Sequence, residues 1–146
     1  MSDDPLSQLQ ALTRQRLRLI WEIDQQAGKL SDEDVLTARL MREHPEWRSV
    51  WSRADKLSDA EFERGGVNPH LHIIAHQIVV NQAAGALPAV GETLEALVAK
   101  GVDRHEAVHR IGAILMEYMF RVLKHKRPFD EARYLRKVRA LLKDVE

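Results

Sequence analysis

Apolar residues recur along the chain at spacings of three and four, a pattern typical of amphipathic helices. Period-two alternation of β-branched and aromatic residues never continues beyond a few positions, so strands are not expected. We predict an all-α fold, a single-domain helical bundle of about five to seven helices over residues 1–146. This length provides room for one substantial core.

Capping residues, glycines and prolines mark the predicted helix boundaries. The first two helices are expected over residues 5–27 and 31–44. Residues 55–67 are predicted to be a connection, in which Ser58 and Glu61 have the spacing of a capping box. The remaining predicted helices are a short one at 47–51 and longer ones at 68–84, 88–100, 103–124 and 129–143.

Charge and composition exclude several classes of protein. The 22 lysines and arginines balance 22 acidic residues, so bulk charge favours neither a nucleic-acid nor an acidic-membrane partner. The chain has no cysteine, which excludes disulfides, thiol catalysis and cysteine-based zinc sites and fits a reducing compartment. Its N-terminus is acidic, unlike a secretory signal, and no apolar run is long enough to span a bilayer. We therefore expect a cytoplasmic protein.

Five of the seven histidines lie between positions 70 and 109, and four of them form two pairs with helical spacing. His72 and His76 are four residues apart on one predicted helix, and His105 and His109 are four apart on another. This spacing points both imidazoles of a pair in the same direction. On helical wheels each pair lies beside apolar residues, so both pairs are predicted to face packed rather than solvated surface.

The two histidine-bearing helices, within residues 68–124, are separated by one predicted helix at 88–100. An up-down-up arrangement makes the outer two helices parallel and brings their N-terminal ends to the same end of the bundle. All four imidazoles then meet, and we predict that they bind a divalent transition metal, namely zinc, nickel or iron. In the alternative interpretation the histidines hydrogen-bond to one another, to Gln82 or to the backbone.

Residues 105–109 read His-Glu-Ala-Val-His, the H-E-x-x-H pattern of zinc metalloproteases, in which the glutamate polarises a water molecule. Glu106 is therefore a candidate general base or additional ligand. Its position three residues after Asp103 also fits a purely structural capping pair. The wheel places Glu106 with Arg110 on the polar face.

Three functions follow from these alternatives. Four histidines saturate a tetrahedral site, and the protein is then a metal-binding structural or sensing module, the role we favour. Three histidines leave an open coordination position, which suits a metal-dependent hydrolase or oxidase using Glu106 as base. Without metal, the cluster would make a pH-responsive interaction module. The identity of a small-molecule substrate does not follow from the sequence.

Other residues receive structural assignments. The wheel places His70 on a polar side together with Gln77, and His44, which precedes Pro45, is predicted to close a helix C-terminus. The basic run 124–127 matches a helix C-terminus. Exposed apolar residues on the first helix are compatible with a homodimer. The three tryptophans, Trp21, Trp47 and Trp51, are predicted to lie in the core or an interface.

Several segments together resemble an uncharacterised bacterial family, domain-of-unknown-function family 1841. They read H-P-E-W at 44–47, N-P-H-L-H-x-x-x-H at 68–76, N-Q at 81–82 and D-R-H-E-A-V-H-R-I at 103–111. Their order and spacing are similar over about residues 17–142. The resemblance implies a small helical bacterial protein whose shared feature is the paired-histidine region, and it implies no established activity.

Overall fold

A computed structural model of the protein describes residues 12–63 and 67–145. In these ranges the regular structure is helical throughout and contains no strand, which confirms the all-α prediction. Residues 5–11 of the first predicted helix lie outside the described residues. The α-helices of the described part are α1 (Arg14–Gln25), α2 (Asp32–Arg42), α3 (Arg48–Trp51), α4 (Asp59–Phe62), α5 (Pro69–Asn81), α6 (Pro88–Ala99), α7 (Arg104–His125) and α8 (Glu131–Ala140).

Helix α4 interrupts the segment predicted to be a connection. Its capping box is formed: the backbone N–H of Ser58 donates to Glu61 Oε1 at 3.0 Å, and the N–H of Glu61 donates to Ser58 Oγ at 3.2 Å. These two reciprocal bonds satisfy donors that a helix start leaves without intrahelical partners, and so support even a single turn. The capping signal was therefore correct, whereas the assignment of the whole segment as a connection was wrong.

The start of α5 also follows local sequence rules. Asn68 Oδ1 accepts hydrogen bonds from the backbone N–H groups of His70 and Leu71, at 3.0 and 3.2 Å. Pro69 occupies the first helical position, where its missing N–H costs no intrahelical bond. This start fixes which residues of α5 share a face, and α5 carries His72 and His76.

The chain divides into two compact units, with the boundary inside α5 between Gln77 and Ile78. In the first unit, α1 contacts both α2 and α3, and the 3₁₀ turn Pro45–Trp47 contacts α2. The predicted burial of the tryptophans is confirmed, because Trp21, Trp47 and Trp51 are each at most 8% exposed.

A buried polar contact joins α2 to α5 within this first unit. The hydroxyl of Thr37 donates to Gln77 Oε1, and both residues are buried. The prediction that Gln77 lies on a polar side of its helix was therefore wrong. The Gln77 amide tolerates burial because Thr37 of α2 supplies its hydrogen-bond partner. A helical wheel of α5 contains no information about residues of α2.

In the second unit, α6 contacts α7, α8 and the π-helical turn Gln82–Ala86, and α7 contacts α8. A buried hydrogen bond ties this turn to α8: the hydroxyl of Tyr134 donates to Gln82 Oε1 at 2.7 Å. Burial raises the pKa of Tyr134, so the side chain remains a neutral donor.

Replacing Tyr134 with phenylalanine is expected to lower the free energy of unfolding by about 1–3 kcal/mol, because the buried Gln82 carbonyl loses its donor. Tyr118 provides the matched control, since its buried hydroxyl has no hydrogen-bond partner among the described residues. Tyr118→Phe should change stability by less than about 0.5 kcal/mol. Urea unfolding of both variants measures the difference, and equal losses would contradict the assignment.

No single helix of the described ranges is both long and apolar enough to cross a membrane. The consecutive segments Pro69–Ala86 and Pro88–Ala99, which meet at a sharp bend, reach that length and composition only when taken together.

Candidate metal centre

Three histidines of the first unit converge in space. His44 lies just after α2, and His72 and His76 lie one turn apart on α5. The ring centroid of His44 is 4.8 Å from that of His72 and 5.2 Å from that of His76, and the two α5 rings are 4.5 Å apart. His44 and His76 are only 3% and 2% exposed, and His72 is half-buried. The cluster is thus largely withdrawn from solvent.

The hydrogen bonds of His44 determine which of its nitrogens carries the proton. Its Nδ1 lies 2.8 Å from the carbonyl oxygen of Leu40. A carbonyl only accepts hydrogen bonds, so Nδ1 is the protonated donor, and in the tautomer that carries this proton the lone pair is on Nε2. That Nε2 lies 3.1 Å from His72 Nε2. His44 therefore presents a lone pair to the α5 histidines.

Local sequence places His44 at this position. The helical conformation ends at Arg42, His44 adopts a non-helical backbone conformation, and Pro45 starts the 3₁₀ turn. The bond to Leu40 in the last turn of α2 confirms the predicted role in closing that helix. Helical wheels do not show that the same ring faces α5. The sequence signal for this position is the H-P-E-W segment, one of the motifs that carry the family resemblance.

The ring of Trp47 packs against two histidines of the cluster. Its ring stacks on His44 with centroids 4.9 Å apart and an interplanar angle of 4°, and it meets His72 edge-on at 5.0 Å. Because Trp47 is itself 8% exposed, these contacts hold both imidazole planes against packed structure. The cluster is therefore preorganised by its apolar surroundings as well as by hydrogen bonds.

The separations fit a single metal ion. Zinc bonds imidazole nitrogen at about 2.0–2.1 Å, so two nitrogens on one tetrahedral zinc are about 3.3–3.4 Å apart. The His44 and His72 nitrogens are already 3.1 Å apart, and a ligand nitrogen from each of the three histidines lies within 4.8 Å of the others. Binding of one ion by all three histidines requires the wider separations to shorten toward that value. The donors are all imidazole, with no carboxylate among them.

His70, although close in sequence, is engaged elsewhere. Its Nε2 contacts the carbonyl oxygen of Leu12. Burial lowers the pKa of His70, partly offset by that backbone hydrogen bond, and the neighbouring Arg14 lowers it further. This histidine is therefore held neutral by its own surroundings, in keeping with its predicted exclusion from the metal-binding set.

The second histidine pair lies on α7 in the second unit, where the rings of His105 and His109 are 4.9 Å apart. Asp103 caps the helix, its Oδ2 accepting from the N–H of Glu106 at 3.2 Å. The Glu106 carboxylate accepts from Arg110 Nε at 3.1 Å, and its side chain is 53% exposed. Glu106 thus lies in a surface ion pair, on the polar face that the wheel predicted.

The described part of the chain is all-helical, and three of its histidines cluster in the first unit. Residues 10–140 match the family described as Domain of unknown function (DUF1841), and the chain belongs to this family. The resemblance found in the sequence motifs is thereby confirmed. No curated protein and no solved structure matches the chain.

Proposed function

We propose that this protein binds a divalent transition metal through His44, His72 and His76. The observation that carries the proposal is the orientation of His44. Metal-binding histidines typically donate one ring N–H to a carbonyl or carboxylate and ligate through the other nitrogen. His44 has this arrangement, with Nδ1 on the Leu40 carbonyl and Nε2 directed at His72 Nε2.

The donor set defines the class of metal. Imidazole nitrogen suits zinc, nickel, iron and copper, whereas magnesium and calcium prefer oxygen ligands. Zinc, nickel and iron remain the proposed metals.

The other two predicted ligands, His105 and His109, lie on α7 in the second unit, and their contribution to a metal site stays a prediction. We propose a structural or sensing role in the cytoplasm rather than hydrolysis. Hydrolysis would require Glu106 at the metal, and its carboxylate is instead paired with Arg110.

The proposal is tested by the metal content of untagged protein purified without chelator and reconstituted with zinc. Wild type is expected to retain about one metal ion per chain by inductively coupled plasma mass spectrometry. His44→Ala, His72→Ala and His76→Ala should each retain under about a tenth of that amount, because loss of one imidazole weakens a site of three or four ligands sharply. Circular dichroism checks that each variant is folded.

Two variants serve as matched controls. His70→Ala changes a histidine bonded to Leu12, and His125→Ala changes an exposed one at the end of α7, so both should retain wild-type metal content. His105→Ala and His109→Ala measure whether the predicted pair on α7 contributes to metal binding. Metal content well below one per chain in reconstituted wild type, or equal losses in the controls, would overturn the proposal.

A further inference from the structure

A groove of about 650 Å³ lies at the C-terminal end of α7, within the second unit. Its apolar lining comes from the last turns of the helix and from the segment that follows: Met119, Val122, Leu123 and Phe129. Leu123 is 49% exposed, a large fraction for a leucine. The volume lies within the range of small-molecule sites, and no residue of the groove belongs to the histidine cluster.

The groove is bordered by two cations. Lys126 and Arg127 line it, and both are exposed. Most arginines of the described ranges that lie on helix surfaces pair with a carboxylate, as Arg110 does with Glu106 and Arg121 with Glu117. Neither Lys126 nor Arg127 has an ion-pair partner among the described residues. Their positive charge is therefore available to a ligand.

The backbone directs these cations to one place. Lys126 caps α7 in the left-handed conformation, with φ of 51°, which ends the helix and turns the chain toward Pro128 and Phe129. This turn places Lys126 and Arg127 beside apolar side chains that come before it, in α7, and after it, at Phe129. The combination of an apolar floor with a basic edge matches a ligand that is apolar along its length and anionic at one end.

We propose that this groove binds a small amphipathic organic anion, a carboxylate with an apolar body. The apolar body lies against Leu123 and Phe129, and the carboxylate accepts hydrogen bonds from Lys126 and Arg127. Arginine is well suited to this contact because its planar guanidinium matches both carboxylate oxygens. The site is independent of the proposed metal function, because the two share no residue.

The test uses isothermal titration calorimetry on the full-length chain with decanoate as the probe. Decylammonium, which has the same tail and the opposite charge, and acetate, which lacks the tail, are the comparison ligands. Decanoate is expected to bind saturably with a Kd below about 1 mM, at least about tenfold more tightly than either. Its affinity should fall as salt increases, because the contributing charges are exposed.

Variants locate the binding. Lys126→Asn removes one charge with a residue that tolerates the left-handed conformation, and Arg127→Gln removes the other. Each should weaken decanoate binding by about threefold and the double variant by roughly tenfold, as expected for exposed charges. Leu123→Asn, in the apolar floor, should weaken it further. Lys124→Gln, in the same basic run but outside the groove, should leave the Kd within about twofold.

Circular dichroism confirms that each variant is folded before titration. Saturable decanoate binding that these substitutions weaken in this order would establish the site. The absence of saturable binding to wild type, equal binding of decylammonium, or Kd values unchanged by Lys126→Asn, Arg127→Gln and Leu123→Asn would overturn it.

Discussion

Zinc is expected to raise the midpoint of thermal unfolding of metal-free protein by on the order of 10 °C. A ligand that binds only the folded state adds about 2.7 kcal/mol when its free concentration is one hundred times Kd. For a chain of this size each kcal/mol shifts the midpoint by roughly 3–5 °C. The proposed ligands come from separate elements, since His44 follows α2 and His76 lies on α5, so the unfolded chain does not hold them together.

Differential scanning fluorimetry at several buffered zinc concentrations measures this effect. His44→Ala starts from a lower midpoint because it also loses the bond to Leu40, so the relevant quantity is the shift on adding zinc. That shift should nearly disappear in His44→Ala and His76→Ala and should persist in His125→Ala. A shift of the same size in His44→Ala would show that zinc binds elsewhere.

Gly91→Ala is expected to lower the free energy of unfolding by about 1–3 kcal/mol, although alanine is the better helix former. Gly91 lies in α6, where its close approach to the preceding π-helical turn leaves no space for a side chain. A Cβ atom there would lie 2.6 Å from the backbone carbonyl oxygen of Ala83. Rotation of a side chain cannot relieve that contact, so the helix and the turn must separate.

The reverse substitution, Ala96→Gly, is the matched control within α6. It measures the intrinsic helix cost of glycine in the same element, about 1 kcal/mol. Without the contact to Ala83, Gly91→Ala would be stabilising by a similar amount. Urea unfolding therefore distinguishes the two cases by the sign of the change in the free energy of unfolding of Gly91→Ala. An increase would show that the turn moves away from the new Cβ atom without loss of stability.

Much of the helical architecture could be predicted because its signals are local. The start of α5 depends on Asn68 and Pro69, and the start of α4 on Ser58 and Glu61, so hydrogen bonds over two or three residues decide both. The end of α7 fell within one residue of its predicted position. Burial of Gln77 could not be predicted in this way, because its partner Thr37 is 40 residues away in sequence.

The candidate site was only partly accessible from the sequence. The i, i+4 spacing correctly indicated that His72 and His76 point together, because that depends on helix geometry alone. His44 lies outside any helical repeat and is separated from His72 by 28 residues. Its approach depends on how the end of α2 packs beside α5, which periodicity does not encode. In the sequence, the only indication of its involvement is the H-P-E-W segment, which begins with His44 itself.

The attachment of His44 to the last turn of α2 has a kinetic consequence for a bound metal. Terminal turns open far more readily than whole domains unfold, because few interactions must break at once. Opening of the turn around Leu40 would withdraw one ligand while His72 and His76 stay in place on their own helix. If the proposed metal is bound there, its release and exchange would then follow the opening frequency of a single helical turn, and the ion would exchange within the lifetime of the folded protein.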